Sequence, residues 1–264
     1  MPTPSRFPNG ISNAAPWQMF AGMGVENPFF YHQFYDDFDT VPSTTIGWTS
    51  SGTGSAPAGG TDGGSVVLTT AATASAFESI QRTEASFQPV SGKKLYFVAR
   101  ITLSDIVNAA FTAGLYPTGS TTPFAAAPAN GIWISKASSS STINLNVANN
   151  SVTTTTAFPA GAITLANGVS FDVGFEVTGN SSSSTGPSTG PTIRGSLGPN
   201  LVGYVPQSGN GSANSTNRAP NIVSTAPLLT TLQATVLAPL LGVQTGNSSI
   251  LTAAVDFVGA FRER

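Results

Sequence analysis

The chain contains no cysteine, which removes disulfides, zinc–thiolate sites and thiol nucleophiles at once and leaves the redox compartment unreadable. It has one histidine, His32, so a serine–histidine–acid triad could be built only on that residue. Charge is also scarce. Only 8% of residues are charged, against roughly 25% in ordinary soluble domains. The ten basic residues are scattered, only Lys93 and Lys94 are adjacent, and the formal net charge is −2. A nucleic-acid partner needs clustered cations and is not expected. No stretch reaches the ~18 apolar residues of a spanning helix. The segment Met1–Pro8 lacks the basic region and apolar run of a signal peptide. The expectation is a chain made in a cytoplasm, soluble at first, with no membrane partner.

The hydrophilic share is instead Ser, Thr, Asn and Gly, with 28 Gly and 19 Pro in 264 residues. Threonine suits strands through its stiff β-branched side chain. A solvated monomer usually keeps neighbours apart with charge, so a charge-poor surface suggests one built to be covered, or one living outside the cytoplasm.

Residues 1–33 read as an extended N-terminal arm. Pro2, Pro4, Pro8 and Pro16 rule out a continuous helix, because each lacks a donor and biases the preceding residue toward extended backbone. Yet the segment carries Phe7, Ile11, Trp17, Met19, Phe20, Met23, Phe29, Phe30 and Tyr31, whereas a disordered tail is normally poor in aromatics. Such an arm packs either on its own domain or on another subunit.

From Phe34 the hydrophobic period becomes two. Leu95, Phe97, Ala99, Ile101 and Leu103 share one face, as do Val169, Phe171, Val173, Phe175 and Val177, with Ser170, Asp172, Gly174 and Glu176 opposite. This is the pattern of half-buried antiparallel strands. Shorter runs repeat it at Val66–Leu68, Ile132–Ile134, Ile143–Val147 and Val255–Phe257. Many short strands separated by Gly- and Ser-rich turns predict an all-β sandwich over 34–264. Two stretches resist: 179–221, a loop-rich insertion with a possible hairpin at Thr192–Val205, and Leu228, Leu229, Leu232 and Val236, whose spacing allows a short helix.

Catalytic groups are sparse. Asp36, Asp37 and Asp39 form the densest acidic group, and Asp37 and Asp39 on one strand face would suit the carboxyl separation of a glycosidase or contribute to a Ca²⁺ site. That register, however, would put Asp36 on the same face as Phe34 and Phe38. A strand-edge role serves as well. No phosphate-cradling glycine loop precedes a helix, and no G-x-S-x-G occurs. No catalytic, metal or cofactor-binding residue is therefore assigned. Trp48 and Trp133 could stack on sugars, but a lone strand tryptophan is more often core.

Several phrases stand in order along the chain: Arg6-Phe-Pro-Asn-Gly-Ile-Ser-Asn, Tyr31-His-Gln-Phe-Tyr-Asp-Asp-Phe-Asp, Gly47-Trp-Thr, Gly64-Ser-Val-Val-Leu-Thr-Thr, Gly92-Lys-Lys-Leu-Tyr-Phe-Val-Ala-Arg, Gly242-Val-Gln-Thr-Gly and Val255-Asp-Phe-Val-Gly-Ala-Phe-Arg-Glu-Arg. This set resembles a family of tailed-bacteriophage virion proteins in which an arm of the RFPNG type precedes a concanavalin-A-like (laminin-G-like) jelly-roll. They are capsid decoration, cement or head-fibre-like components. The resemblance covers nearly the whole chain and departs at 179–221. It implies a non-enzymatic antiparallel jelly-roll sandwich on the capsid surface of a virion, assembled in the host cytoplasm. The implied partners are the major capsid protein and further copies of the chain in a homo-oligomer. Arg6, Phe7, Trp17, Phe20, Phe29, Phe30 and Tyr31 would supply the arm's contacts. The alternative is a virion-surface lectin-like module binding host surface glycans. A sandwich-fold glycosidase is a third possibility, but the E-x-D-x-x-E strand pattern of lectin-like hydrolases is absent.

Overall fold

The computed structural model describes residues 31–59, 64–90, 93–158, 163–178, 192–198, 222–225 and 234–264. Its strands are β1 Tyr31–Asp36, β2 Trp48–Gly52, β3 Ser55–Gly59, β4 Val66–Thr69, β5 Phe77–Arg82, β6 Lys94–Leu103, β7 Ala109–Tyr116, β8 Gly131–Lys136, β9 Ile143–Asn149, β10 Val152–Ala157, β11 Ser170–Thr178, β12 Thr192–Gly198, β13 Ile222–Thr225, β14 Ala238–Thr245 and β15 Thr252–Glu263. They form two antiparallel sheets. The first runs β13-β12-β11-β6-β15-β4-β3, with β1 also paired to β15; the second runs β10-β9-β8-β7-β14-β5-β2.

The sheets face each other across one core, and the period-two pattern decides which side chains enter it. Leu95, Phe97, Ile101 and Leu103 of β6 and Phe171, Val173, Phe175 and Val177 of β11 meet Phe111, Leu115, Ile132, Ile134 and Leu145 of the second sheet. Ring pairs knit it: Phe97 stacks on Phe175 at 5.3 Å and Phe111 meets Phe171 at 5.4 Å. Val169 departs from the sequence expectation. It precedes β11, in the turn that leads into it, and is 54% exposed.

The outward charges of β6 and β11 are less wet than their alternation suggests. Asp172 and Glu176 are buried because each is covered by a cation from the facing strand. Arg100 makes two bonds to Asp172, at 2.8 and 3.3 Å, and Lys94 lies 3.4 Å from Glu176. A bulge in β15 between Val255 and Phe257 gives Asp256 its own place, 3.5 Å from the same guanidinium.

The conflict around Asp36 is resolved by the end of β1. The strand stops at Asp36, and Phe38 adopts a left-handed φ of 56°, which turns its ring into the core. Asp36 accepts the Phe38 N–H and the Trp48 indole N–H, each at 2.8 Å. A carboxylate on the core-facing side is thus stabilised by two donors. Trp48 itself is 1% exposed and packs between Phe34 and Phe38, so it is core. A one-turn 3₁₀ helix, Thr44–Ile46, leads into β2 and ends at Gly47 with φ 81°, a conformation that favours glycine.

The arm boundary drawn at 33/34 runs through β1, which begins at Tyr31 and pairs with Glu263 and the residues before it. Of the expected hairpin, β12 is described, pairing with β11 and β13; the rest lies outside the described residues, as do Leu228, Leu229 and Leu232. Val236 is in neither helix nor strand.

A second apolar cluster, Tyr116, Trp133, Ala148 and Leu240, sits on the outer face of the second sheet. It forms because Gly114, between Tyr116 and Thr112 on that face, leaves room for the β8 backbone to come close: a Cβ there would collide with the Ile132 carbonyl and Trp133 Cα. Gly114→Ala is expected to destabilise the protein by about 1–3 kcal/mol, the usual cost of overpacking, and to alter the near-ultraviolet signal of Trp133. Urea unfolding and circular dichroism measure both.

Candidate functional site

The outer face of the second sheet is where the connecting loops create relief. Gln81 of β5 tethers the loop that leaves β7: its Nε2 donates to the Pro117 carbonyl at 2.7 Å, and its Oε1 accepts the Ser120 N–H at 3.0 Å. Phe124 then packs on Phe77 at 6.0 Å and over Gly242, where a Cβ would come within 3.1 Å of its ring. The loop therefore lies across β14 and β5 and divides the face in two.

On one side is a polar groove of about 170 Å³. Its base is Thr49 and Ser51 of β2 with Ser79 and Gln81 of β5; its rim is Arg82, Thr83, Gly119, Ser120 and Thr121. The pairing Thr49↔Gln81 and Ser51↔Ser79 places all four base side chains on the same sheet face. Ser79 donates to the Ser51 carbonyl at 2.9 Å, which leaves its lone pairs to accept. Arg82 lies 4.6 Å over the Phe34 ring and donates to the Ile46 carbonyl at 2.9 Å, so its guanidinium is held in place. The lining offers hydroxyls, an amide and one cation, and contains no carboxylate.

On the other side runs a hydrogen-bonded ladder across β8, β9 and β10. Asn146 Nδ2 donates to Ser135 Oγ at 2.9 Å and its Oδ1 accepts from Thr155 Oγ1 at 2.9 Å. Trp133 does not present a stacking platform there: it is 7% exposed, with its ring on Tyr116 at 5.4 Å.

Of the residues singled out from sequence, Arg6, Phe7, Trp17, Phe20, Phe29 and Phe30 lie outside the described residues, and Tyr31 opens β1. His32 sits opposite Arg262 with its ring 5.0 Å from Phe87. Its Nε2 is buried without a hydrogen-bond partner among the described residues. Burial lowers its pKa, and Arg262 and Arg264 lower it further. No group of three or more potential metal ligands occurs among the described residues. Sequence reasoning missed the groove because Thr49, Ser51, Ser79 and Gln81 carry no motif; only the strand register unites them.

The class this architecture defines is the concanavalin-A-like, lectin-type jelly-roll sandwich. Solved structures that share it include the CBM2 module of the evolved Dit of Lactobacillus casei BL23 phage J-1, with TM-score 0.51 and 12% identity over 88% of this chain and 96% of that one. Arcelin-5, a lectin-like defence protein from Phaseolus vulgaris, has TM-score 0.51 and 11% identity over 89% and 99%. The potassium-bound carbohydrate recognition domain of Emp46p has TM-score 0.53 and 6% identity over 85% and 94%. At these identities the likeness is one of fold. No family model matches the chain, and no curated protein does.

Proposed function

We propose that the chain is a non-enzymatic, lectin-like binding module of a bacteriophage particle, and that it takes a glycan in the groove between β2, β5 and the loop after β7. The observation that carries this reading is the groove's lining: neutral hydroxyls from β2 and the rim loop, over a floor set by the β2–β5 register, matching the donors and acceptors of a polyhydroxylated ligand. A glycosidase would need two facing carboxyl groups, and the groove has none. The groove is smaller than the ~300–1,000 Å³ of drug-sized sites, so it suits one terminal sugar, with weak affinity per site and strength from repetition on a particle. The carbohydrate recognition domain and the phage module among the structural neighbours support the ligand class and the setting.

Glycan-array screening of the full chain, followed by calorimetry on the best hit, tests the proposal. Thr49 and Thr121 are exposed, so Thr49→Val and Thr121→Val should fold normally and together weaken binding about tenfold or more. Unchanged affinity in the double variant, or no saturable glycan, overturns it.

A second reading, decoration or cementing of a capsid with the major capsid protein and other copies of the chain as partners, is favoured by the aromatic content of residues 1–30 and by the low charge. The deletion that tests it must stop at Phe30, because β1 begins at Tyr31. Capsids that bind the truncated chain with full occupancy rule out the arm's role.

A further inference from the structure

A second cavity, of about 360 Å³, lies at one end of the sandwich and shares no lining residue with the groove. It is formed by three connections: Ile106 and Val107 between β6 and β7, the serines 139–141 between β8 and β9, and Ile163 and Leu165 between β10 and β11. Lys136, the last residue of β8, also lines it and is only 2% exposed.

Lysine is almost never fully buried without a counter-charge. Lys136 Nζ donates to the carbonyls of Ala109 at 2.8 Å and Ala137 at 3.2 Å. These are dipoles rather than charges, and the ammonium has a third N–H. No carboxylate lies within ion-pairing distance of it among the described residues. The acid that does act on it electrostatically, Asp105, is committed elsewhere: it accepts from the Val107 N–H at 2.9 Å, the Asn108 N–H at 3.2 Å and Asn108 Nδ2 at 2.7 Å. Burial lowers the Lys136 pKa, and Asp105 opposes that only in part. A buried cation without a partner anion is an electrostatic cost that an incoming anion would relieve.

The remaining walls set the rest of the ligand. Ile106, Ile163 and Leu165 are half-buried and Val107 is 61% exposed. Ile106, Ile163 and Leu165 pack against the end of the core, and with Val107 they give the mouth an apolar lining. Ser139 is held in a left-handed conformation with φ 58° and donates its N–H to the Val107 carbonyl at 2.7 Å, so the hydroxyl side and the apolar side of the cavity are tied together. The volume falls within the range of small-molecule sites.

We propose that this cavity binds a small organic monocarboxylate, with its carboxylate on the Lys136 ammonium and its apolar part against Ile106, Val107, Ile163 and Leu165. The site is separate from the groove and independent of the glycan reading.

Titration of the full chain by saturation-transfer NMR and calorimetry, with acetate, butanoate, hexanoate and hexanol as probes, tests it. Affinity should rise along the carboxylate series, and hexanol should bind about tenfold more weakly than hexanoate. Lys136→Met keeps the length and apolar stem of the side chain and should erase the preference for hexanoate over hexanol. Leu165→Ala, at the half-exposed mouth, should weaken hexanoate and hexanol alike while leaving acetate unaffected. If Lys136→Met fails to fold, the chain-length series and Leu165→Ala decide the matter. Absence of saturable hexanoate binding up to about 10 mM, equal binding of hexanoate and hexanol, or hexanoate binding unchanged in Leu165→Ala overturns the proposal.

Discussion

Arg100→Ala should lower the unfolding free energy by about 3 kcal/mol, a large fraction of the ~5–15 kcal/mol typical of a domain. The reason lies in the unequal exposure of the pair. The Asp172 side chain is 3% exposed and that of Arg100 29%, so removing the guanidinium takes a bidentate partner from a carboxylate that water barely reaches. A carboxylate stranded there would keep its desolvation cost without the bonds that offset it. Its charge is tolerated in the native protein because Arg100 faces it directly across the β6–β11 pairing. Arg100→Ala combined with Asp172→Ala should recover more than half of the loss, since it removes the stranded charge as well. Lys94 and Glu176 provide the contrast on the same face. Lys94 is 43% exposed and its nitrogen is 3.4 Å away, so Lys94→Ala should cost no more than about 1 kcal/mol. Urea titration of the four proteins measures all of this; an Arg100→Ala loss as small as that of Lys94→Ala would show that Asp172 is compensated by other groups.

The second large effect is a pH dependence. Glu78 lies on β5 facing the core and is 3% exposed. It sits under the Gly52–Gly54 turn, where a Cβ on Gly52 would come within 2.6 Å of its Oε2. Burial raises its pKa from the ordinary 4.5 to about 7, with a hydrogen bond from the Gly54 backbone opposing in part. The folded state therefore keeps a proton that the unfolded chain has already released between those pH values. The associated stability is fully present below pH 4.5 and is lost as pH rises through 7. At about 1.4 kcal/mol per tenfold, the full displacement amounts to roughly 3 kcal/mol. Glu78→Gln, neutral at every pH, should gain stability over wild type by that order at pH 8 and by nothing below pH 4.5. The difference between the two proteins is the relevant quantity, because the lowered pKa of His32 acts with the opposite sign. A difference that stays flat from pH 4 to pH 8 would show that Glu78 titrates normally.

The strands were legible because a half-buried strand must alternate, and the inward faces of β6 and β11 could be written down residue by residue. What local pattern could not show was how strongly an outward face can be covered. Asp172 and Glu176 alternate correctly yet are buried, since cross-strand cations dehydrate them. Asp36 looked misplaced between Phe34 and Phe38 because alternation assumes that the strand continues, whereas a turn with positive φ at Phe38 changes the geometry at that residue. Trp133 satisfied the strand pattern, but its outward side gains a cover from Tyr116 that depends on Gly114 in another strand. The groove and the Lys136 cavity were invisible for the same reason. Thr49 and Gln81, or Val107 and Ser139, meet only through pairings and loop contacts across the fold, and no spacing in the sequence encodes them.

The position of β15 has a consequence for the order in which the protein takes shape. Its residues pair with β6 along most of their length, with β4 through Thr252–Val255 and with β1 through Val258–Glu263. A ribosome delivers the chain from residue 1 onward, so β1, β4 and β6 emerge long before the strand that joins them. Until then β1 and β4 each lack the strand beside them, and the first sheet is three unconnected pieces: β13-β12-β11-β6, β4-β3 and β1. Closure must wait for the last described strand, and contacts this distant in sequence form slowly. During synthesis the nascent chain exposes unpaired strand edges that invite aggregation, so its yield in a cell should respond more to chaperone supply and growth temperature than its final stability would suggest.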